Sequence, residues 1–197
     1  MKKLFFLSAV LLFGLASCSK DDSITDKGVV INGVRWATRN VDVPGTFAAT
    51  PECFGKHFQW NRRRGWSTTD VNVIEEGWDR SIPKGTRWYA TNDPCPRGWR
   101  VPTESELRSL RDAGHVFILR RGVHGYLFGT PPNQIFLPAA GLRCSFGILS
   151  PGHTGGDYWS STQKDSDLAW GLKLTSIVDM FQLFRPAGLS VRCVTDD

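Results

Sequence analysis

A single segment of this 197-residue chain carries the signals of a helix, and that scarcity limits the fold more than any other feature. The segment reads DPCPRGWRVPTESELRSLRDAG. Thr103 followed by Glu106 forms a capping-box pattern, and Leu107 and Leu110 fall on one face of the helix. The pattern predicts a helix over about 104–113. Since no other helix is predicted, a parallel sheet wound from repeated β-α-β units is excluded.

The rest of the chain carries short runs of β-forming residues, punctuated by its 20 glycines and 11 prolines. Asn32-Gly33 between two such runs predicts a hairpin over 29–37. Alternating apolar and polar residues predict strands over 168–174 and 189–194. The segment 40–94 is aromatic and has no sustained period, which predicts an ordered region of loops and short strands. Further strand candidates are 116–119, 126–128, 135–137 and 180–184. These signals leave an α+β and a mostly-β domain open.

The N-terminus has the pattern of an export signal. Two lysines precede thirteen apolar or small residues, 4–16, a run shorter than the roughly 20 residues of a membrane-spanning helix but typical of a signal peptide. Leu15-Ala16-Ser17-Cys18 resembles the lipobox of bacterial lipoproteins. The resemblance implies that residues 1–17 are removed and that Cys18 is lipidated, so that the membrane is a partner through the lipid.

The residues after Cys18 indicate where the anchored protein faces. Ser19-Lys20-Asp21-Asp22 resembles the acidic surface-export signal of Bacteroidota lipoproteins, which implies the outer membrane and display at the cell surface. Residues 18–28 are polar and predict a tether, and 29–197 form one domain. The net charge of +5 falls to +3 without Lys2 and Lys3, and acids and bases are mixed, so no nucleic-acid partner is predicted.

Six segments along 29–194 occur in the order found in the FISUMP family, the Fibrobacter succinogenes major paralogous domain, and together resemble it. They are VINGVRWATRNV, FQWNR, DPCPRGWRVPT, LPAAG, YWSST and GLSVRCV. The resemblance implies an α+β, C-type-lectin-like fold with one main helix, several short antiparallel strands and long loops. It also implies a secreted or lipid-anchored protein, more distantly similar to formylglycine-generating enzymes, and it implies no particular activity.

Four cysteines follow Cys18, and an even number in an exported protein favours disulfides. Four cysteines allow three pairings. No two of these cysteines have the C-x-x-C spacing of a zinc or redox site. A C-type-lectin-like domain packs the region before its helix against its terminal strand, so the resemblance implies a bridge from Cys95 to Cys193. Cys53 would then pair with Cys144. Two buried free thiols are the alternative to this second bridge.

The stretch QWNRRRGW combines aromatic and basic side chains, which can stack on sugars or grip an acidic partner where they are exposed. Lectin-like folds usually carry their ligand site in a long loop region, so this stretch and its continuation hold the predicted contact residues. These are Arg62, Arg63, Arg64, Trp66, Asp70 and Trp78. The alternative is a tryptophan in the core beside solvated arginines, and this alternative is favoured for Trp60.

No cofactor and no metal site is predicted. The Glu-Pro-Asn motif of calcium-dependent lectins is absent, because Pro131-Pro132-Asn133 has proline in place of the acid. Asp165 and Asp167 are left as an alternative for calcium, although an ordinary turn is favoured.

No catalytic residue is predicted either. Ser160, Ser161, His153 and Asp157 are near one another in sequence, but a triad is defined by geometry.

The sequence therefore predicts a surface-exposed lipoprotein that acts as a non-enzymatic binding or adhesion module for a glycan or a surface protein. One alternative is a tip or accessory subunit of a fimbria. A second alternative is a degenerate relative of the formylglycine-generating enzymes, whose chemistry would require a reactive cysteine pair working with copper.

Overall fold

A computed structural model of the chain describes residues 25–71, 76–152 and 155–196. The predicted signal peptide, the lipidated Cys18 and the first part of the tether lie outside the described residues. The helix is α1, Glu104–Asp112, and a 3-10 turn covers Ala90–Asn92. The strands are β1 Val29–Ile31, β2 Val34–Trp36, β3 His57–Gln59, β4 Gly65–Trp66, β5 Trp99–Arg100, β6 His115–Arg120, β7 Val123–Thr130, β8 Asn133–Pro138, β9 Leu142–Arg143, β10 Leu149–Ser150, β11 Gly156–Gln163, β12 Leu168–Leu174, β13 Val178–Phe184, β14 Gly188–Leu189 and β15 Val194–Thr195.

The described strands form four small sheets whose pairings are antiparallel, in the orders β1-β2-β15-β5, β10-β9-β14-β3-β4, β11-β12-β13 and β6-β7-β8. The described part of the chain is mostly β, with 41% strand against 7% helix and a half-barrel arrangement. The expected α+β, C-type-lectin-like fold is therefore wrong. The physical reason is that α1 is only nine residues long, while the longest strands, β6 to β8 and β11 to β13, follow it and pair with their neighbours in sequence.

Two local predictions are confirmed. The hairpin pairs Ile31 with Val34 across Asn32 and Gly33, whose φ angles of 48° and 82° are those of the tight turn that strand twist favours. At the start of α1, the Thr103 hydroxyl accepts a hydrogen bond from the Glu106 amide at 3.3 Å, and the Glu106 carboxylate accepts one from the Thr103 amide at 2.6 Å. This is the predicted capping box.

The predicted strand over 189–194 is wrong, because this stretch divides between two sheets. Gly188–Leu189 pairs with β3 and β9, whereas Val194–Thr195 pairs with β2 and β5. The connection between them is buried throughout, and its carbonyls accept bonds from the amides of Val41 and Ala37. A stretch covered on both faces does not need the inside-outside alternation on which the prediction relied.

The described residues enclose two hydrophobic cores. The first lies beneath α1, where Leu107 and Leu110 pack with Trp36, Phe128 and Leu172. The second contains three buried indoles and other apolar side chains around the disulfide between Cys95 and Cys193. Its central members are Trp60, Trp88, Trp159, Leu189, Cys95 and Cys193. The prediction that Trp60 is a core residue is confirmed, since it has no exposed surface.

The side chain of Arg192 is fully buried and ties three parts of the chain together. Its guanidinium donates to the Asn40 Oδ1 atom at 2.7 and 3.0 Å, to the Ala37 carbonyl at 3.1 Å and to the Phe136 carbonyl at 3.0 Å. Asn40 in turn donates to the Tyr158 hydroxyl at 3.2 Å. Burial lowers the pKa of Arg192 from its usual value and raises the pKa of Tyr158 to about 12. The network fixes the irregular segments beside β2, β8 and β15.

Arg185 and Arg143 hold loops from both halves of the chain in a similar way. Arg185 donates to the carbonyls of Pro83, Gly85 and Asp165, and its guanidinium lies 4.4 Å from the centroid of the Trp60 ring. Arg143, also fully buried, donates to three loop carbonyls, those of Ser67, Gly147 and Asp70. Buried loop carbonyls need such donors, so these arginines allow long loops to be ordered without a helix.

The disulfide between Cys95 and Cys193 is confirmed; it joins residues 98 positions apart. The predicted bridge between Cys53 and Cys144 is wrong, because Cys144 is a free thiol. Cys144 begins the short turn between β9 and β10, where its amide donates to the Ile148 carbonyl at 2.9 Å. Cys53 lies elsewhere, buried beside the Thr50 hydroxyl at 3.5 Å.

The last residues of the predicted tether are docked on the domain. The Asp26 carboxylate accepts bonds from the Gly28 and Thr38 amides at 2.9 and 2.8 Å and lies 3.5 Å from the Arg39 guanidinium. Its side chain is almost fully buried, so packing on the domain begins by Asp26. No helix of the described part of the chain is long and apolar enough to span a membrane.

Candidate functional site

The two tryptophans predicted to contact a ligand are buried instead. Trp66 is 1% exposed and Trp78 is 9% exposed, and their ring centroids are 4.8 Å apart. The Trp78 indole donates to the Ser145 carbonyl at 2.9 Å, and the Arg64 guanidinium covers the Trp66 ring at 4.1 Å. Neither indole offers an open face for stacking, so Trp66 and Trp78 are core residues in this structure.

The three consecutive arginines 62–64 mostly hold the loop in place. Arg62 donates to the carbonyls of Asp79 and Ser81, both at 2.9 Å, and lies 2.8 Å from the Asp79 carboxylate. Arg64 donates to the Glu76 carbonyl at 2.9 Å. Arg63 differs, because its single bond, to the Asp93 carbonyl at 2.7 Å, places it on the wall of a cleft.

The acidic residues considered for ligand or calcium binding have local roles or none. Asp70 is exposed, and its carbonyl accepts from Arg143 at 3.3 Å. The Asp165 carboxylate accepts from the amides of Asp167 and Leu168 at 2.9 and 2.8 Å; these bonds lower its pKa and define a turn. Along 25–71, 76–152 and 155–196, no group of three or more His, Cys, Asp or Glu residues is placed to hold a metal ion.

An open cleft of about 640 Å³ runs along the segment 87–101 and is the best candidate site. We call it the arginine cleft. It is lined by Arg63, Arg87, Trp88, Tyr89, Ala90, Asp93, Cys95, Pro96, Arg97, Gly98, Trp99, Arg100, Val101, Thr103, Ser161 and Asp196. Its volume lies within the range of small-ligand sites, and it combines cationic, aromatic and acidic groups in one concave surface.

Backbone pairing fixes the edge of the arginine cleft that is formed by residues 87–89. Arg87 forms an isolated antiparallel bridge with Thr162, and the Trp88 amide donates to the Ser161 carbonyl at 3.1 Å. The Tyr89 amide donates to the Asn61 side chain at 2.8 Å, just before the 3-10 turn. This part of the wall is therefore tied both to the long loop and to β11.

Asp93 and the disulfide fix the floor. The Asp93 carboxylate accepts bonds from the amides of Cys95 and Val101, at 2.8 and 3.0 Å, which closes the chain around it. Burial raises the pKa of Asp93, and those two amide bonds oppose the rise. Since Cys95 is also bonded to Cys193, the floor is linked covalently to the C-terminal segment, and the second core lies directly beneath.

The four arginines of the cleft differ in how many hydrogen bonds and ion pairs they make within the protein. Arg100 makes a bidentate pair with Glu106 at 2.8 and 2.9 Å and lies 3.7 Å from Asp196. Arg63 donates to one carbonyl. Arg87 and Arg97 are exposed, and within the described residues their guanidiniums make no hydrogen bond or ion pair. Two guanidiniums on one concave surface are thus available to an anionic ligand.

Two aromatic rings complete the lining. Tyr89 is 40% exposed, and its ring rests on Gly85, where an added Cβ would lie 2.7 Å from a ring carbon. Trp99 is half-buried and packs edge-on against Phe47, with ring centroids 5.5 Å apart. Both rings are held by packing, so they are already oriented before a ligand arrives.

Sequence reasoning found Arg63 but missed Arg87, Tyr89 and Arg97. A signal was present: residues 87–100 read RWYATNDPCPRGWR, in which basic and aromatic residues alternate with turn formers. The prediction instead favoured the three consecutive arginines 62–64, where the positive charge is denser. Arg62 and Arg64 of that run donate to loop carbonyls, so local charge density alone does not locate a ligand site.

A second, smaller cavity of about 340 Å³ lies beside Asp157. Asp157 is 3% exposed, and its carboxylate makes no hydrogen bond within the described residues. Burial raises its pKa to about 7, opposed by Lys173, which is its cross-strand partner. The neighbouring Ser160 is also buried, and its hydroxyl donates to the Trp170 carbonyl at 2.8 Å, so it serves the backbone of β12.

No protein-family model, curated protein or solved structure matches the chain. The arrangement of the described residues is therefore the basis for a functional proposal.

Proposed function

We propose that this protein is a surface-anchored, non-enzymatic binding module for a glycan or a surface protein, and that its ligand occupies the arginine cleft. The anchor and the surface location rest on the sequence pattern around Cys18, which lies outside the described residues. The ligand site rests on the structure. The single observation that carries the proposal is a concave surface on which the Tyr89 ring is 40% exposed and the Arg87 and Arg97 guanidiniums have no hydrogen-bond or ion-pair partner among the described residues.

The construction of the cleft supports binding more than catalysis. Its exposed groups include guanidiniums, which stay protonated at all physiological pH values and so do not exchange protons with a substrate. The Asp93 carboxylate, the buried acid of the cleft, has both oxygens bonded to backbone amides. A rigid wall with permanent charges and oriented aromatic rings is suited to holding a ligand.

The test is a glycan array probed with the purified protein, with and without calcium, followed by the same array with Tyr89→Ala. We expect binding that is independent of calcium, and we expect Tyr89→Ala to weaken it by about tenfold, as loss of one stacking ring typically does.

Phe146→Ala is the matched control, because Phe146 is an exposed aromatic residue, 60% accessible, in the turn between β9 and β10. It should leave binding unchanged. Loss of binding in both variants, or in neither, would argue against the arginine cleft as the ligand site.

A second candidate function, an accessory subunit of a fimbria, is favoured by the outer edge of β6. Within the described residues β6 pairs only with β7, and it exposes Val116, Phe117 and Leu119 at 52, 43 and 61%. An unpaired apolar edge strand can accept a strand from another subunit. Recovery of the protein in sheared fibres would favour this function, and a protein found only as a membrane-bound monomer would count against it.

The relationship to formylglycine-generating enzymes is not proposed further. Their chemistry would require a reactive cysteine pair, and of the two cysteines considered for it, Cys193 is bonded to Cys95 while Cys144 is a free thiol.

A further inference from the structure

We infer that the ligand of the arginine cleft is an acidic polysaccharide, a chain of sugars that carry carboxylate groups. This inference rests on the proposed binding function and narrows it to one chemical class. It follows from the charges of the cleft, from the acceptor that stands among them, and from the two rings.

The first step concerns the uncommitted cations. Arg62, Arg64, Arg143 and Arg185 all donate to loop carbonyls, so this domain generally uses arginine to satisfy its own backbone. Arg87 and Arg97 depart from that pattern, because nothing in the described structure accepts their hydrogen bonds. Guanidinium groups bind carboxylates through two parallel hydrogen bonds, so the pair selects an anion.

The second step concerns the acid among these arginines. The Asp196 side chain is 69% exposed and lies 3.7 Å from Arg100, and its amide is tied to the Gly98 carbonyl. Sugar hydroxyls donate hydrogen bonds as well as accept them, so a sugar acid can use the Asp196 carboxylate as an acceptor. An acidic side chain such as that of glutamate has a carboxylate but no hydroxyl donor, so it cannot offset repulsion from the Asp196 carboxylate with such a hydrogen bond.

The third step concerns the aromatic rings. Tyr89 and Trp99 line the same cleft as the two free arginines. Aromatic rings supply apolar contact area with little loss of side-chain freedom, and the C–H faces of a pyranose ring provide a matching flat surface. A sugar acid can therefore place its ring against an aromatic side chain and its carboxylate against a guanidinium of the same cleft.

The test compares three probes that differ in one property each. Polygalacturonate carries a carboxylate on every sugar, its fully methyl-esterified form has the same sugars without the charge, and polyglutamate has the charge without the sugars. We expect the purified full chain to bind polygalacturonate, and to bind the methyl ester and polyglutamate at least about tenfold more weakly. Binding of polygalacturonate should also weaken as salt is raised, since the cleft is open.

The variant that tests the site is Arg87→Gln combined with Arg97→Gln. Because both side chains are exposed and unpartnered, the double variant should fold normally, with an unchanged thermal transition, and bind polygalacturonate about tenfold more weakly. The matched control combines Arg80→Gln with Arg121→Gln, two exposed arginines outside the cleft, and should bind as the wild type does.

The outcomes separate this inference from the proposed function. Equal binding of polygalacturonate and its methyl ester, or equally tight binding of polyglutamate, would overturn the acidic-polysaccharide inference and leave the binding function standing. The same holds if only neutral glycans bind and Tyr89→Ala abolishes that binding. Unchanged polygalacturonate binding by the Arg87/Arg97 double variant would also overturn the inference. Absence of binding to every probe and every arrayed glycan would count against both.

Discussion

Replacement of Asp157 by asparagine is expected to stabilise the folded protein increasingly as the pH rises. The Asp157 carboxylate is 3% exposed, makes no hydrogen bond within the described residues and has Lys173 as its cross-strand neighbour. Burial disfavours its charged form and raises its pKa from 3.8 to about 7. The ionised carboxylate is therefore a cost to folding, and asparagine removes that charge while keeping the shape.

The direction of the pH dependence follows from which state binds the proton. Between pH 4 and pH 7 the folded protein keeps a proton on Asp157 that the unfolded chain has already released. Stability of the wild type is therefore lost as the pH rises through this window, and it is regained as the pH falls. Asparagine does not titrate, so the advantage of the Asp157→Asn variant grows over the same window.

The size of the effect follows from the shift of about three pKa units, each equivalent to about 1.4 kcal/mol. The full cost at high pH is about 4 kcal/mol. Part of it remains at pH 5, where the unfolded carboxyl is already ionised, so the difference between variant and wild type should grow by about 2–3 kcal/mol from pH 5 to pH 8. An unsatisfied asparagine amide would subtract about 1–3 kcal/mol at every pH, which leaves this growth unchanged.

The assay is urea denaturation followed by tryptophan fluorescence, at several pH values from 5 to 8, for the wild type and Asp157→Asn. Asp70→Asn is the control, since it also removes one carboxylate, but from an exposed residue; the growth of the stability difference with pH should be larger for Asp157→Asn than for this control. A difference between Asp157→Asn and the wild type that is constant from pH 5 to pH 8 would refute the reasoning.

Three further predictions concern other buried groups. Arg192→Met should destabilise the protein by about 3–5 kcal/mol in urea denaturation, because it leaves buried acceptors without a donor; a loss below 1 kcal/mol would contradict the network. The double variant Cys95→Ser, Cys193→Ser should lose about 4–5 kcal/mol of unfolding free energy in the same assay, given the 98-residue separation. An unchanged unfolding free energy would argue against the bridge. His57 should stay neutral in NMR titrations from pH 7 to pH 4.5, since burial and, to a smaller extent, Arg143 lower its pKa to about 3. The unfolded chain takes up the proton at a higher pH than the folded protein, so His57 lowers the stability of the fold as the pH falls below about 6.5. A titration midpoint near 6.5 in the folded protein would contradict its burial.

Local signals in the sequence were sufficient for part of this structure. The turn at Asn32-Gly33 and the capping box of Thr103 with Glu106 each depend on residues only a few positions apart, so their chemistry is complete within a short window. The strand over 168–174 is confirmed as β12, but both of its faces carry buried residues, Leu172 and Leu174 on one and Ala169 and Gly171 on the other. In each case the signal does not depend on how distant segments meet.

The remaining features depend on contacts between distant segments. The fold class was wrong because the resemblance implied a lectin-like arrangement, whereas the residues alone also allowed a mostly-β domain. The stretch 189–194 lost its alternation because both of its faces are covered. The pairing of Cys53 with Cys144 failed because it followed from elimination, and the position of Cys144 in the turn between β9 and β10 is set by sheet pairing that no short motif records.

The candidate site depended on a distinction that composition does not contain. Arg64 and Arg97 are both exposed arginines beside tryptophan and glycine in sequence, so any measure of local charge or aromatic content treats them alike. What separates them is that the fold brings the Glu76 carbonyl to Arg64 and brings no acceptor within the described residues to Arg97. A guanidinium whose orientation is fixed by a bond to the backbone and by stacking on Trp66, as in Arg64, can offer a ligand only its remaining N–H donors. The arginines best able to select an anion are therefore those that the fold leaves unpaired within the described residues, and this is why we propose the cleft, and not the denser run of charge, as the ligand site.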